Sequence, residues 1–212
     1  SVQIIDNYWL TRGLRGWGYM AAGRTLDAVA EVRAALDLNR WGNWYSGLLA
    51  QYLLFAGDRQ AALIEARAAV ERFPEVEISH MMLSIVASGL GLHEEAEAAG
   101  RRAKELAPDT PLVHTALACA LARGGRTAEA TRLVETIEAH GIAAHCPWLA
   151  TAYLALGRRD RAIDVLARAR EVGSPQFVYA FVDPRLAELN GDPFFERLRP
   201  VARTPTRSAR TE

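Results

Sequence analysis

Glycines recur along this chain with a period of 34 residues, and this spacing restricts the possible folds more than any other feature. Gly23, Gly57, Gly91 and Gly125 are each 34 positions apart, and Gly157 follows 32 positions later. Periods of this length are typical of architectures in which small supersecondary units stack, because one unit cannot bury its apolar face alone. The spacing therefore predicts a stacked repeat fold rather than a generic helical bundle.

Small residues follow each of these glycines at fixed distances. An alanine stands five positions after every glycine, and a second alanine, or in one case an isoleucine, stands seven positions further on. The two sets are Ala28, Ala62, Ala96, Ala130 and Ala162, and Ala35, Ala69, Ala103, Ile137 and Ala169. Residues seven apart lie on one face of a helix. Each unit is thus predicted to be an apolar helix, a tight turn at glycine and a second, amphipathic helix.

This pattern resembles the tetratricopeptide repeat, a 34-residue unit with small residues at positions 8, 20 and 27 and proline at position 32. Pro74 and Pro108 match the proline, and position 8 is small in every unit. It holds Gly16, Ala50, Ser84, Ala118 and Ala150. The resemblance implies an all-α, right-handed superhelical solenoid of five helix-turn-helix repeats. We place these repeats at residues 9–42, 43–76, 77–110, 111–144 and 145–176, after a lead-in at 1–8.

The segment after the fifth repeat contains two Asp-Pro pairs, Asp183-Pro184 and Asp192-Pro193. Aspartate at the N-cap with proline at the first helical position favours a helix start. The pairs predict short helices near 184–189 and 193–199, within a C-terminal cap at 177–200. Their apolar residues are expected to cover the end of the last repeat, namely Leu186, Leu189, Phe194, Phe195 and Leu198. Residues 201–212 are polar and are expected to form a disordered tail.

The C-terminal part also resembles the repeat regions of bacterial multidomain signalling proteins, in which repeats follow a winged-helix, kinase or nucleotide-cyclase domain. The matching stretches are LATAYLALGRRDRAIDVLARA at 149–169 and VDPRLAELNGDPFFERLR at 182–199. Asn190 and Phe194 stand where those regions usually carry arginine. The resemblance implies a regulatory or interaction role within a larger bacterial protein.

The charge balance and the cysteine content exclude several classes of partner. Lys plus Arg equals Asp plus Glu at 25 each, so the formal net charge is zero. Nucleic acids and anionic membranes are negatively charged and bind proteins that carry a positive electrostatic field, so neither is an expected partner. No apolar run reaches the roughly 18 residues of a membrane span. Two cysteines, Cys119 and Cys146, are too few for a disulfide framework and indicate reduced thiols in the cytoplasm.

Motifs for catalysis are not found, and we expect neither an enzyme nor a bound cofactor. His140, His145 and Cys146 are three candidate zinc ligands, but a structural zinc site needs four and no fourth is near in sequence, so no metal is expected. His80 and His114 occupy equivalent positions of their repeats and are expected to be partly buried structural residues. A helical-solenoid enzyme or metal-binding protein with an unrecognised site remains the alternative.

The tetratricopeptide resemblance implies a concave groove lined by fixed positions of each first helix. Most of the residues at these positions are apolar, so we predict a protein or peptide partner with an apolar surface. The predicted groove residues are Leu10, Trp17, Trp44, Gln51, Ile78, Met81, Met82, Ile85, Thr115, Cys119, Trp148 and Thr151. Four of the five tryptophans precede residue 45. They bind a partner or a second copy of the chain, or they pack on an upstream domain, and the sequence leaves these interpretations open.

Overall fold

The computed structural model describes residues 8–38, 42–141 and 146–199, and within these ranges the regular structure is helical, with no β-strand. This confirms the predicted all-α fold. The helices of the described chain form consecutive packed pairs. The pairs are α1 (Trp9–Ala21) with α2 (Thr25–Leu38), α3 (Asn43–Phe55) with α4 (Arg59–Arg72), α5 (Glu77–Leu90) with α6 (His93–Leu106), α7 (Pro111–Arg123) with α8 (Thr127–Ala139), and α9 (Leu149–Ala155) with α10 (Arg159–Glu171).

The turn inside each pair is made by the repeating glycine. Gly91 ends α5 with a φ of 79°, a left-handed conformation that side chains with a Cβ rarely adopt. The amide of Leu92 then donates to the carbonyl of Ala87 at 2.9 Å, which satisfies an acceptor that the helix end leaves free. The equivalent glycines of the other repeats also have positive φ. The 34-residue period is therefore the spacing between the glycines that end the first helix of each hairpin in a left-handed backbone conformation.

The repeating alanines pack between helices, as their spacing predicted. All five alanines of the first set are fully buried, and the second set is buried to almost the same extent. A methyl group at these positions lets the two helices of a hairpin and the next hairpin approach closely. The first helices α3, α5, α7 and α9 consequently pack side by side as an inner layer, each with its second helix outside it.

The end of the described chain is built on the two Asp-Pro pairs. Pro184–Leu189 forms a 3₁₀ segment in which the Asp183 carboxylate accepts from the amide of Arg185 at 2.9 Å. Helix α11, Pro193–Leu198, begins at Asp192, whose carboxylate accepts from the amide of Phe194 at 2.8 Å. Both segments contact the fifth hairpin.

The buried apolar residues of this C-terminal region belong to the same core as α7 to α10. Leu186, Leu189 and Phe195 are fully or almost fully buried there, and Leu198 packs partly against them. Phe194 was expected in this cover, but its ring is exposed and lies beneath the guanidinium of Arg197. The position of Phe194 just after the helix start turns its side chain to the outer face of α11.

One further segment was not foreseen. Residues Pro175–Phe181 form a 3₁₀ stretch that leaves α10 and reaches back to contact α1 at the opposite end of the chain. We call Pro175–Phe181 the return segment. Among the described residues, no helix has both the length and the hydropathy that crossing a bilayer requires.

Candidate peptide-binding cavities on the inner face

Most of the predicted groove residues lie on the inner helices, whereas Leu10 and Trp17 lie on α1 and Trp148 directly precedes α9. Most of them are not open to solvent. Leu10, Trp17 and Trp44 are exposed, whereas the other nine are buried. The expectation of one continuous apolar surface that includes Met81, Ile85 and Trp148 is therefore wrong for this structure. The inner helices bury part of this face against each other, and residues of the C-terminal region cover much of the rest.

Tyr179 of the return segment fills the centre of the inner face. Its hydroxyl lies 2.8 Å from the hydroxyl of Tyr52 on α3, and its ring contacts Phe55 at 6.0 Å between centroids. Its ring also stacks on Trp148 at 6.5 Å. Burial raises the pKa of Tyr179 to about 12, and it raises the pKa of Tyr52 still further. Both phenols are therefore neutral near pH 7, and their contact is an uncharged hydrogen bond.

A buried ion pair follows the return segment. The guanidinium of Arg185 lies 2.6 Å from the carboxylate of Asp183, and both side chains are almost fully inaccessible. Burial by itself would lower the pKa of Arg185. The Asp183 carboxylate outweighs this effect, and the Cys119 side chain acts in the same direction as Asp183, so the pKa of Arg185 is raised. The pair therefore lies beside the buried Cys119 of α7.

One part of the inner face remains open, between α1, α3 and the return segment. A cavity of about 220 Å³ lies there, and its rim carries Leu14, Trp17 and Trp44, with exposed fractions of 63%, 38% and 49%. Its lining consists of Gly13, Leu14, Trp17, Trp44, Tyr45, Leu48, Gln51, Tyr52, Met82, Leu112, Trp148, Gln176 and Tyr179. We call this the rim cavity. None of these described residues carries a charge at neutral pH.

A second cavity of about 200 Å³ adjoins the rim cavity. Leu112, Trp148 and Gln176 line both cavities, so the two share one wall. The other residues that line the second cavity are Thr110, Pro111, Cys146 and Pro147. Burial raises the pKa of the Cys146 thiol, which is therefore neutral. Two adjoining uncharged cavities with a mainly apolar lining suit apolar side chains better than a carboxylate or a phosphate.

Two polar side chains in these walls lack partners. Both the Oε1 and the Nε2 of Gln51 are buried without a hydrogen bond, and so is the Nε1 of Trp148. Buried polar groups are nearly always hydrogen-bonded, so each exception calls for a physical reason. Gln51 and Trp148 both line the rim cavity, so the wall of this cavity contains unpaired polar side chains.

Several residues of the site were not singled out in the sequence. Tyr45, Gln176 and Tyr179 lie outside the groove positions that the repeat pattern assigns, and Leu14 was not considered either. The only available signal was the aromatic run at 177–181, whose three aromatic residues are unusual for a polar connection. Its target, 127 positions away at Tyr52, has no local signature.

His80 is buried and His114 is partly buried. The Nε2 of His80 lies 2.8 Å from the carbonyl of Pro74 and links α5 to the preceding turn. Burial lowers the pKa of His114, which favours the neutral ring. Within the described ranges, no three His, Cys, Asp or Glu side chains come together as a metal site would require. His145 of the candidate zinc set lies outside the described residues.

Comparison with known proteins supports the repeat interpretation. A family profile described as "Tetratricopeptide repeat" matches residues 48–111, which extend from within α3 to the start of α7. No curated protein matches the chain in sequence.

Three solved structures show the same architecture. A thermophilic tetratricopeptide protein from Thermus thermophilus has 22% identity and a TM-score of 0.63, over 84% of this chain and 99% of that one. A tetratricopeptide repeat protein from Parabacteroides merdae has 12% identity and a TM-score of 0.56, over 90% and 82%. Yeast Tom70 has 16% identity and a TM-score of 0.56, over 90% of this chain but only 43% of its own length. The profile matches residues 48–111, and these structures show that the chain has the fold of tetratricopeptide repeat proteins.

Proposed function

We propose that this chain is a non-catalytic protein-interaction module that binds an apolar segment of a partner protein in the rim cavity. The observation that carries the proposal is the exposure of Leu14, Trp17 and Trp44 around an uncharged cavity. The fold supports it, because stacked tetratricopeptide hairpins suggest a protein-interaction module. Exposed tryptophans beside a concave site are also the residues that most often contribute strongly to protein binding.

The partner segment is apolar rather than acidic. Strong recognition of a carboxylate uses cationic donors such as arginine or lysine, and no Lys or Arg lines either cavity among the described residues. Covering the rim removes apolar surface from water, and each square ångström contributes about 25 cal/mol before the cost of association. The affinity would therefore come mainly from apolar contacts.

We further propose that the module is the regulatory repeat region of a larger bacterial signalling or transcription-regulatory protein in the cytoplasm. Support comes from the resemblance of residues 149–169 and 182–199 to the repeat regions of such proteins. In that setting, an upstream domain or a second copy of the chain would compete with a separate partner for the exposed rim.

The test begins with a partner selected in vitro. A random 12-residue peptide library displayed on phage is selected against the purified chain, and the selected peptides are titrated by calorimetry. Trp44→Ala should weaken binding by about 2 kcal/mol, or roughly 30-fold, while the helicity stays that of the wild type.

Ile64→Ala provides the matched control. Ile64 lies on α4 and is 59% exposed, but it lines neither cavity. Ile64→Ala should bind the selected peptides with wild-type affinity. If no peptide is enriched, or if Trp44→Ala and Ile64→Ala bind alike, the rim cavity is not the binding site.

A further inference from the structure

Gln51 is a fully buried polar residue of the rim cavity, and its carboxamide has no hydrogen-bond partner in the described structure. Its exposed fraction is 0%, and neither Oε1 nor Nε2 makes a hydrogen bond. It is carried by α3, one position before Tyr52, whose hydroxyl is paired with Tyr179. The phenol beside it is thus satisfied, whereas the carboxamide is not.

An unpaired buried amide is destabilising. Each buried donor or acceptor without a partner costs on the order of 1–3 kcal/mol. An apolar side chain of the same length would avoid this cost, and its neighbours in the wall, Leu48 and Met82, are apolar. A ligand that supplies both missing hydrogen bonds would recover the lost energy on binding. Gln51 therefore opposes the stability of the free chain and would favour a bound state.

The chemistry of the carboxamide specifies what such a ligand presents. A carboxamide places one acceptor and one donor side by side, so its complement is an adjacent donor and acceptor. The N–H and C=O of a single residue in an extended peptide provide this pair. The cavity volume of about 220 Å³ exceeds the roughly 150 Å³ of an engineered apolar cavity that binds benzene. It therefore accommodates a side chain the size of leucine, methionine or phenylalanine.

We propose that Gln51 determines the specificity of the rim cavity by forming a paired hydrogen bond with the backbone of one peptide residue, whose large apolar side chain enters the cavity. This inference rests on the proposed function, which supplies the peptide. The occupant is an extended, locally uncharged peptide segment. A charged residue at that position is disfavoured because no lining residue would neutralise it.

The experiment combines a protein substitution with a backbone substitution in the ligand. The probe is the 12-residue peptide with the highest affinity for the wild-type chain in the selection described above. Each backbone nitrogen is methylated in turn, which removes one N–H donor at a time. Every peptide is titrated against the wild type, Gln51→Met and Ser79→Ala.

Methionine matches glutamine in length and lacks its polar atoms. Ser79 is a control because its buried hydroxyl is also unpaired but lines neither cavity.

We expect Gln51→Met to bind the parent peptide about tenfold more weakly, as the loss of two hydrogen bonds predicts. Methylation of one backbone nitrogen, that of the peptide residue with the large apolar side chain, should weaken binding to the wild type by a similar factor. The same methylation should leave binding to Gln51→Met unchanged. The thermal midpoint of free Gln51→Met should equal or exceed that of the wild type. Ser79→Ala should bind every peptide as the wild type does.

Two results would overturn the inference while the proposed function stands. One is peptide binding that depends on Trp44 but is equally tight in Gln51→Met. The other is a methylation effect of the same size in the wild type and in Gln51→Met. Failure to select any peptide whose affinity depends on Trp44 would instead refute the proposed function, and the inference with it.

Discussion

Three glycines of α1 have different surroundings. A Cβ built on Gly13 would overlap the ring of Tyr45, and one built on Gly16 would lie 3.0 Å from the Cγ2 of Val32. Gly18 has nothing within 4 Å of that position. The cluster at the start of the chain therefore allows helices to approach, and it does so at Gly13 and Gly16 only. Because Tyr45 lines the rim cavity, the close approach at Gly13 also shapes the site.

This difference gives a matched pair of substitutions in one helix. Gly13→Ala should destabilise the chain by about 1–3 kcal/mol, because the new methyl group displaces a ring that is already packed against Trp9. Gly18→Ala should be neutral or stabilising by up to about 1 kcal/mol, because alanine is the better helix former. Urea denaturation followed by circular dichroism measures both. Equal effects of the two substitutions would show that Tyr45 moves aside without cost.

The residue scale also shows which parts of the site the sequence could predict. The tetratricopeptide resemblance implies that Trp17 and Trp44 face the groove, and they line the rim cavity. Met81 and Ile85 were assigned in the same way and are buried in the core. The difference depends on what covers each position. The repeat pattern carries information about one hairpin and its neighbours, whereas Tyr179 reaches the inner face from a distant part of the chain.

At the scale of elements, the outer helices balance their charges locally. Arg67 of α4 pairs with Glu95 of α6 at 2.8 Å, and Arg101 of α6 pairs with Glu129 of α8 at 2.9 Å. These pairs are partly exposed and each contributes little to stability. Pairs of this kind therefore link the second helices of consecutive hairpins.

The C-terminal elements contain an ion pair of a different kind. Asp183 and Arg185 are buried together, so removing one charge leaves the other without a counter-ion in a low-dielectric setting. Asp183→Asn should cost about 3 kcal/mol or more. Asp192→Asn alters a partly exposed pair with Arg159 and keeps an oxygen that can cap α11, so it should cost much less than Asp183→Asn. Urea midpoints of the two variants provide the comparison.

A double substitution distinguishes the effect of the ion pair from the effect of the other contacts that Arg185 makes. Asp183→Asn combined with Arg185→Met removes both charges, and it should recover most of the stability lost in Asp183→Asn alone. A double variant as unstable as the single one would mean that the Arg185 guanidinium stabilises the segment by contacts other than its ion pair.

At the scale of the whole molecule, the return segment changes how the repeats depend on one another. In an open solenoid each repeat contacts only its neighbours, and stability is close to a sum over adjacent pairs. Here Tyr179 and Trp148 belong to the same apolar cluster as α3 and α5, whereas most of the last two hairpins form a second cluster. The return segment also contacts α1. The two ends of the stack are therefore joined by contacts that bypass the repeats between them.

Tyr179→Ala should uncouple the two ends. Loss of a large buried aromatic side chain costs about 3–5 kcal/mol, and here the cost falls on the contact that links the clusters. Four of the five tryptophans lie in the first two repeats, so tryptophan fluorescence reports mainly on that end, whereas far-ultraviolet circular dichroism reports on all helices. In wild-type urea unfolding the two signals should coincide; in Tyr179→Ala they should separate. Phe194→Ala, which removes an exposed ring from α11, should leave them coincident. Coincident transitions in Tyr179→Ala would mean that the return segment adds stability without coupling the first repeats to the last.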